Sequence, residues 1–154
     1  MSTAVAAAVI RERARTELPP LIGSLLRLPH EVVEARMLAD LHAHGFGLTL
    51  TELRVFLYPG PDGRRPADLA RQCQMTRQAM NYVMAALERR GYVTRRTEAG
   101  VRVVRTTPAG RKLITRLRAC VAGIEREWAA HLGKRRFDEL RDTLHELSHW
   151  LGKL

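Results

Sequence analysis

The sequence is poor in aromatic side chains. Phe, Tyr and Trp make up 5% of its 154 residues. No ladder of rings is present on which unpaired bases could stack, which argues against a platform for single-stranded nucleic acid. Cysteine is scarce as well. Cys73 and Cys120 show neither a CxxC nor a zinc-ligand spacing. Both fall on apolar stripes, so each is expected to be a buried free thiol. His145 and His149 stand four apart, with His131 upstream, but no cysteine or carboxylate completes a metal set. They are expected to be helix-surface histidines, with no metal and no cofactor bound. The apolar run AVAAAVI near the start is too short to span a bilayer and follows no basic stretch. No nucleophile elbow, phosphate-binding glycine loop or pair of carboxylates announces catalysis. A cytoplasmic protein that is not an enzyme and has no membrane partner is expected.

Acidic residues are also in deficit. Lys and Arg number 26 against 16 Asp and Glu, giving +10 and a pI of about 10.9. Such an excess suits a polyanionic partner, and its location is informative. Residues 50–112 hold 13 basic and 5 acidic side chains. Residues 1–49 hold 5 of each, and residues 113–154 hold 8 and 6. Hydrophobic content is 45%, enough for a folded core.

In chain order, residues 3–16 have high helix propensity, and Pro19 and Pro20 interrupt it. Leu21, Ile22, Leu25, Leu26 and Leu28 continue at helical spacing. Pro29 either starts a fresh helix or kinks a longer one. Val32, Val33, Met37, Leu38 and Leu41 extend the stripe to about His44. Thr49 with Glu52 forms a capping box for a helix bearing Leu53, Phe56 and Leu57 inward. Pro59 to Gly63 is a turn, and Arg64–Arg65 is a candidate short strand beside a later hairpin. Pro66 opens a short helix through Leu69, Ala70 and Cys73. Gln74–Met75 turns the chain, and Thr76 caps the next helix. Its expected inward face is Ala79, Met80, Val83, Ala86 and Leu87. Arg77, Gln78, Asn81, Tyr82 and Ala85 are expected outward. Strands are expected over 92–96 and 101–106, joined by a turn at 97–100. Thr107 and Pro108 open a long helix with Leu113, Leu117, Ile124 and Trp128. Gly133 breaks it. Phe137, Leu140, Leu144, Leu147 and Leu151 then form an a/d seam that must pack on something, and a second copy of the chain is a good candidate.

The order helix, helix, turn, helix, hairpin, helix predicts a mainly α chain with a small β-hairpin wing, an α+β winged helix-turn-helix. The start of the second helix of the motif can enter a major groove. Thr76 is expected to hold a phosphate. Arg77 is expected to choose bases through guanine, and Gln78 and Asn81 through adenine, with Tyr82 beside them. Arg65, Arg95, Arg96, Arg102 and Arg105 are candidate wing and backbone contacts. Such a face could be merely solvated. The coincidence of tight turn, local charge and arginine-rich hairpin favours double-stranded DNA. Winged helices also serve as protein-interaction adaptors, and a non-specific architectural DNA-binding protein is a further alternative.

In PADLARQCQMTRQAMNYVMAALERRGYVTRR and in TTPAGRKL after the wing, the sequence resembles the MarR family of bacterial transcription regulators. A weaker likeness extends over LTLTELRVFLYP and EREWAAHLGKRRFDELRDTLHEL. The resemblance implies a homodimer on a pseudo-palindromic operator, usually repressing, and often released by a small aromatic or phenolic effector. It implies dimerisation through residues 1–47 and 108–154, with Leu21, Leu25, Trp128, Leu140, Leu144, Leu147 and Leu151 as candidates, and DNA binding through residues 48–107. His42 and Phe46 are candidates for lining an effector pocket. Two departures stand out. Gln74 occupies a turn position where the family favours glycine. Glu98-Ala99-Gly100 replaces the usual Asp-x-Arg at the wing tip, so the expected minor-groove arginine is missing from its place.

Overall fold

The structure, a computed structural model, describes residues 20–57 and 60–152. The helix expected over 3–16, Pro19 and Pro59 lie outside the described residues. The chain divides into two units, Met1–Val32 and Val33–Leu154. The elements run α1 (Ile22–Ala43), α2 (Leu50–Phe56), α3 (Pro66–Gln72), α4 (Arg77–Arg89), β1 (Val93–Glu98), β2 (Val101–Thr106), α5 (Pro108–Leu132) and α6 (Lys134–Leu151). The mainly helical chain with one hairpin is as expected.

The choice left open at Pro29 resolves to a single helix, with the proline inside α1. Arg27 and Glu31, four apart, bridge across it at 2.6 Å. In the first unit Leu21, Ile22, Leu25 and Leu26 are all exposed. In the second unit α1 buries Met37 and Leu41, and with them Glu34, which is only 5% exposed. A lone buried carboxylate would be costly. Arg54 of α2 donates to both its oxygens, at 2.8 and 3.0 Å.

Three threonines start three helices as expected. The Thr49 hydroxyl accepts from Glu52 N, and the Thr49 amide donates in turn to the Glu52 carboxylate at 2.8 Å. The Thr76 hydroxyl accepts from Ala79 N at 3.1 Å. The Thr107 hydroxyl accepts from Gly110 N at 3.0 Å. Each satisfies an amide that the first helical turn leaves without a partner.

The core gathers Leu53, Val55 and Phe56 of α2, Leu69 of α3, Met80, Met84 and Leu87 of α4, Val93 and Val104 of the hairpin, and Leu113 and Leu117 of α5. The inward face of α4 therefore differs from the expected one. Met84 is fully buried, and Ala79 is exposed. Positions 80, 84 and 87 follow the i, i+4, i+7 pattern, which one long methionine fills better than short alanines.

The hairpin is antiparallel, with Val93 opposite Thr106 and Glu98 opposite Val101. The expected four-residue turn is tighter. Only Ala99 and Gly100 lie between the strands, at φ 47° and 77°. Two residues at positive φ match the strand twist, so pairing continues to Glu98. The expected strand at Arg64–Arg65 reduces to two backbone bonds against β2: Gly63 N to Val104 O at 2.8 Å, and Val104 N to Arg64 O at 2.9 Å. Arg65 is already the residue that caps α3.

Ion pairs join elements far apart in sequence. Arg36 of α1 holds Glu127 of α5 at 2.6 and 2.7 Å. Asp40 of α1 takes two bonds from Arg116 of α5, the longer at 2.6 Å. Arg90, just after α4, reaches the carbonyl of Gly47 and, at 2.8 Å, the buried carboxylate of Glu52. The end of α4 is thereby tied to the start of α2. The Arg116 guanidinium holds the Asp40 carboxyl below the usual carboxylate range, with His44 adding a smaller effect. A depressed folded value means that the folded chain binds fewer protons than the unfolded one in acid. The resulting stability is present above about pH 4 and is lost as pH falls through the folded value. Asp40→Asn should flatten the acid limb of a denaturation series run from pH 7 to pH 3. An acid limb as steep as in the parent would contradict the assignment.

Candidate nucleic-acid interface

Between α3 and α4 the chain turns at Gln74, whose φ is 53°. This is the left-handed backbone that a family preference for glycine implies, on a side chain that adopts it at a cost of about 1–2 kcal/mol. The turn is fixed by Gln74 N to Arg71 O and by Met75 N to Ala70 O at 2.8 Å. Gln74→Gly should raise stability by about 1 kcal/mol, because glycine carries no such penalty. A urea midpoint that stays level or falls would refute this.

The turn delivers the start of α4 to the surface. Thr76, Arg77, Gln78, Asn81 and Tyr82 are all exposed, and Tyr82 keeps 70% of its surface open. Ala85, expected on the same edge, is half-buried. The sequence-predicted reading residues therefore share one open edge, and Met80 and Met84 anchor the opposite side.

The wing arginines divide into two kinds. Arg95 is spent on α4: its guanidinium holds Glu88 at 2.6 and 2.9 Å, and its amide adds a bond at 2.8 Å. These bonds hold the Glu88 carboxyl below the usual carboxylate range. Arg105 is spent on Glu98, its Nε at 2.8 Å, and on Asp62 at 3.5 Å. Asp62 also accepts from Thr106 N at 2.7 Å, which fixes the base of the wing. Arg96 and Arg102 are exposed, with no side-chain hydrogen bond or ion pair among the described residues. The register puts them on opposite faces of the hairpin. Arg102 shares its face with the buried Val93 and Val104, the side turned to the helices. The sequence listed all four as equals, whereas the structure leaves two available to a ligand.

Arg65, Arg77, Asn81 and Arg102 line one surface cleft of about 430 Å³ between α3, α4 and the wing. Residues far apart in sequence thus meet at one place. Sequence reasoning found each of them but not their convergence.

The other expected sites have local partners. The His42 ring donates from Nε2 to Leu48 O at 2.7 Å, and His44 donates from Nδ1 to Asp40 O at 2.7 Å, capping the end of α1. Phe46 is half-buried, its ring 6.2 Å from that of Tyr92. Cys73 and Cys120 are half-buried rather than buried, and burial pushes both thiols up, away from the reactive thiolate. Trp128 is half-buried. Leu140, Leu144, Leu147 and Leu151 remain exposed along α6, with Trp150 among them.

The family model described as MarR family matches residues 46–102. Among solved structures, the MarR family protein Rv2887 of Mycobacterium tuberculosis, in complex with p-aminosalicylic acid, is 31% identical. The match covers 84% of this chain and 99% of that one, with a TM-score of 0.63. The chain belongs to the MarR family. MarR-family chains are DNA-binding transcription regulators, and this chain is one of them. The repressor CouR bound to a 23-mer DNA duplex shares the fold at 22% identity, covering 86% of this chain and 99% of that one at a TM-score of 0.63. So does a MarR-family regulator from Rhodococcus sp. RHA1, at 21% identity, covering 82% and 91% at a TM-score of 0.65. No curated protein sequence matches the chain. Among the described residues no helix is long and apolar enough to cross a membrane.

Proposed function

We propose that this MarR-family regulator binds a pseudo-palindromic operator as a homodimer, represses from it, and is released by a small aromatic ligand. Residues 48–107 read the DNA, and the dimer forms through residues 1–47 and 108–154. The observation that carries the reading is the open edge of α4. Thr76, Arg77, Gln78, Asn81 and Tyr82 are held outward on a helix that is clamped at both ends, by its threonine cap and by Arg90 on Glu52. A helix so presented fits the width of a major groove. Arg65, Arg96 and Arg102 stand beside it, while Arg95 and Arg105 shape the wing.

The dimer is supported by apolar surface that each unit leaves open: Leu21 and Leu25 in the first, and the row Leu140, Leu144, Leu147 and Leu151 in the second. Release by a small ligand is supported by Rv2887, crystallised with p-aminosalicylic acid. His42, in the last turn of α1, and Phe46, in the α1–α2 connection, are our candidates to feel it. Sedimentation and duplex titration test the reading together. The expected result is twice the 17.4 kDa chain mass, salt-sensitive binding to duplex DNA, and weaker binding with salicylate present. Duplex binding that is absent or insensitive to salt would point to a protein-interaction adaptor. Equal affinity for all sequences would point to an architectural protein.

A further inference from the structure

Five of the eleven arginines in residues 48–107 are neutralised within the fold, Arg54 by Glu34 and four others by nearer acids. Arg71 pairs with Asp68, Arg90 with Glu52, Arg95 with Glu88 and Arg105 with Glu98. The other six are not, and the cleft between α3, α4 and the wing gathers three of these at one place. Arg65 precedes α3, Arg77 lies in the first turn of α4, and Arg102 projects from β2, yet all three line this cleft. None has a side-chain hydrogen bond or ion pair among the described residues, and no carboxylate lines the cleft. Asp68 and Glu88, the nearby acids that feel Arg65 and Arg102, are already engaged by Arg71 and Arg95. Three arginines lining one cleft, with no carboxylate among its lining residues, favour an anion there. Their planar donors suit phosphate oxygens. A volume of about 430 Å³ admits a phosphodiester with part of its sugar.

We infer that this cleft seats a single phosphate of the DNA backbone, shared by Arg65, Arg77 and Arg102. The inference rests on the DNA-binding reading above and deepens it. It moves Arg77 from the role expected of it, choosing guanine, to that of holding the duplex in register. Phosphate contacts position the protein and carry no sequence information. Sequence choice then falls to Gln78 and Tyr82, which stand on the exposed edge and do not line the cleft. Asn81, which does line it, donates its amide either to the phosphate or to a base. Gln pairs bidentately with adenine, and an aromatic ring packs on the thymine methyl, so the helix reads A·T pairs.

Arg65→Ala, Arg77→Ala and Arg102→Ala, singly and in pairs, are titrated on a selected operator and on a random duplex of equal length over a range of salt. Each single variant is expected to weaken both DNAs by the same factor, leaving their affinity ratio within about twofold. It should also lower the salt slope by about 1 for each protomer engaged. Because the phosphate is shared, the double variant Arg77→Ala/Arg102→Ala should lower the slope no further than one single variant does. Arg77→Lys keeps the point charge and should restore most of the binding. Gln78→Ala should do the reverse, cutting the operator-to-random ratio about 5- to 100-fold with the slope unchanged. The inference is overturned if Arg77→Ala collapses the ratio at constant slope, since Arg77 then reads a base. It is overturned also if slopes fall additively, since the arginines then hold separate phosphates. Parent protein that binds no duplex overturns the function itself. Parent binding with unaltered slopes in the variants overturns only the cleft. Thermal melts of each variant confirm that the lobe is folded.

Discussion

Gly110→Ala is expected to cost about 3 kcal/mol and to lower the thermal midpoint by about 10 °C. A Cβ at this position would stand 2.1 Å from the backbone oxygen of Tyr92 and 2.8 Å from the Thr106 Cγ2. The first obstacle is main chain, so it cannot swing aside as a flexible side chain would. The close approach exists because the start of α5 is fastened to the end of α4 and the start of the wing. Thr107 N donates to Tyr92 O at 3.1 Å, and the Thr107 hydroxyl donates to Gly91 O at 2.5 Å. This junction fixes the angle at which the long helix leaves the reading lobe. Widening it would cost stability and also misplace α4 relative to α5. Gly123→Ala is the control within the same helix. There a Cβ would meet only the far end of Arg126 at 3.8 Å, and relief of glycine's helix penalty should raise stability by up to about 1 kcal/mol. Differential scanning calorimetry should show the two substitutions moving the midpoint in opposite directions. Equal shifts would mean that the contact at Gly110 relaxes freely.

The second large effect is expected from Leu147→Glu on α6. Leu147 is 39% exposed in the single chain, in a row with Leu140, Leu144 and Leu151. Such a row is tolerated on a surface only if something covers it, and a carboxylate buried in its place would have no partner. The substitution should leave the circular dichroism spectrum unchanged, because Leu147 lies outside the core. It should yield particles of 17.4 kDa. DNA affinity should fall by about 100-fold or more, because a lone reading head loses the local concentration that its tethered twin supplies. A variant that stays dimeric and binds with full affinity would show that the α6 row faces something other than a second copy.

Local signals in the sequence located the helix starts and the hairpin well. Thr49, Thr76 and Thr107 each cap the helix they were expected to start, since capping is settled within four residues. The wing strands and the break at Gly133 were legible for similar reasons. The left-handed turn at Gln74 was legible only through the family resemblance, which favours glycine at that position. Long-range pairing was hidden. Nothing local says that Glu34 will be buried against Arg54, or that Asp40 will meet Arg116, because only the tertiary fold brings them together. The same holds for the wing. Arg95 and Arg102 look alike in a list of basic residues, but Glu88 claims one and leaves the other facing a cleft. On α4 the stripe was misjudged by the weight given to alanines, which pack inside or outside at little cost, whereas Met84 does not.

Selection of bound sequences from a random duplex pool addresses most directly whether this chain reads DNA as a symmetric pair. A dimer carrying two α4 edges predicts a two-fold motif whose half-sites are centred about 10 bp apart, one helical turn, so that both edges enter major grooves on one side of the duplex. Enrichment of a single half-site, or no enrichment over the starting pool at any salt concentration, would contradict it.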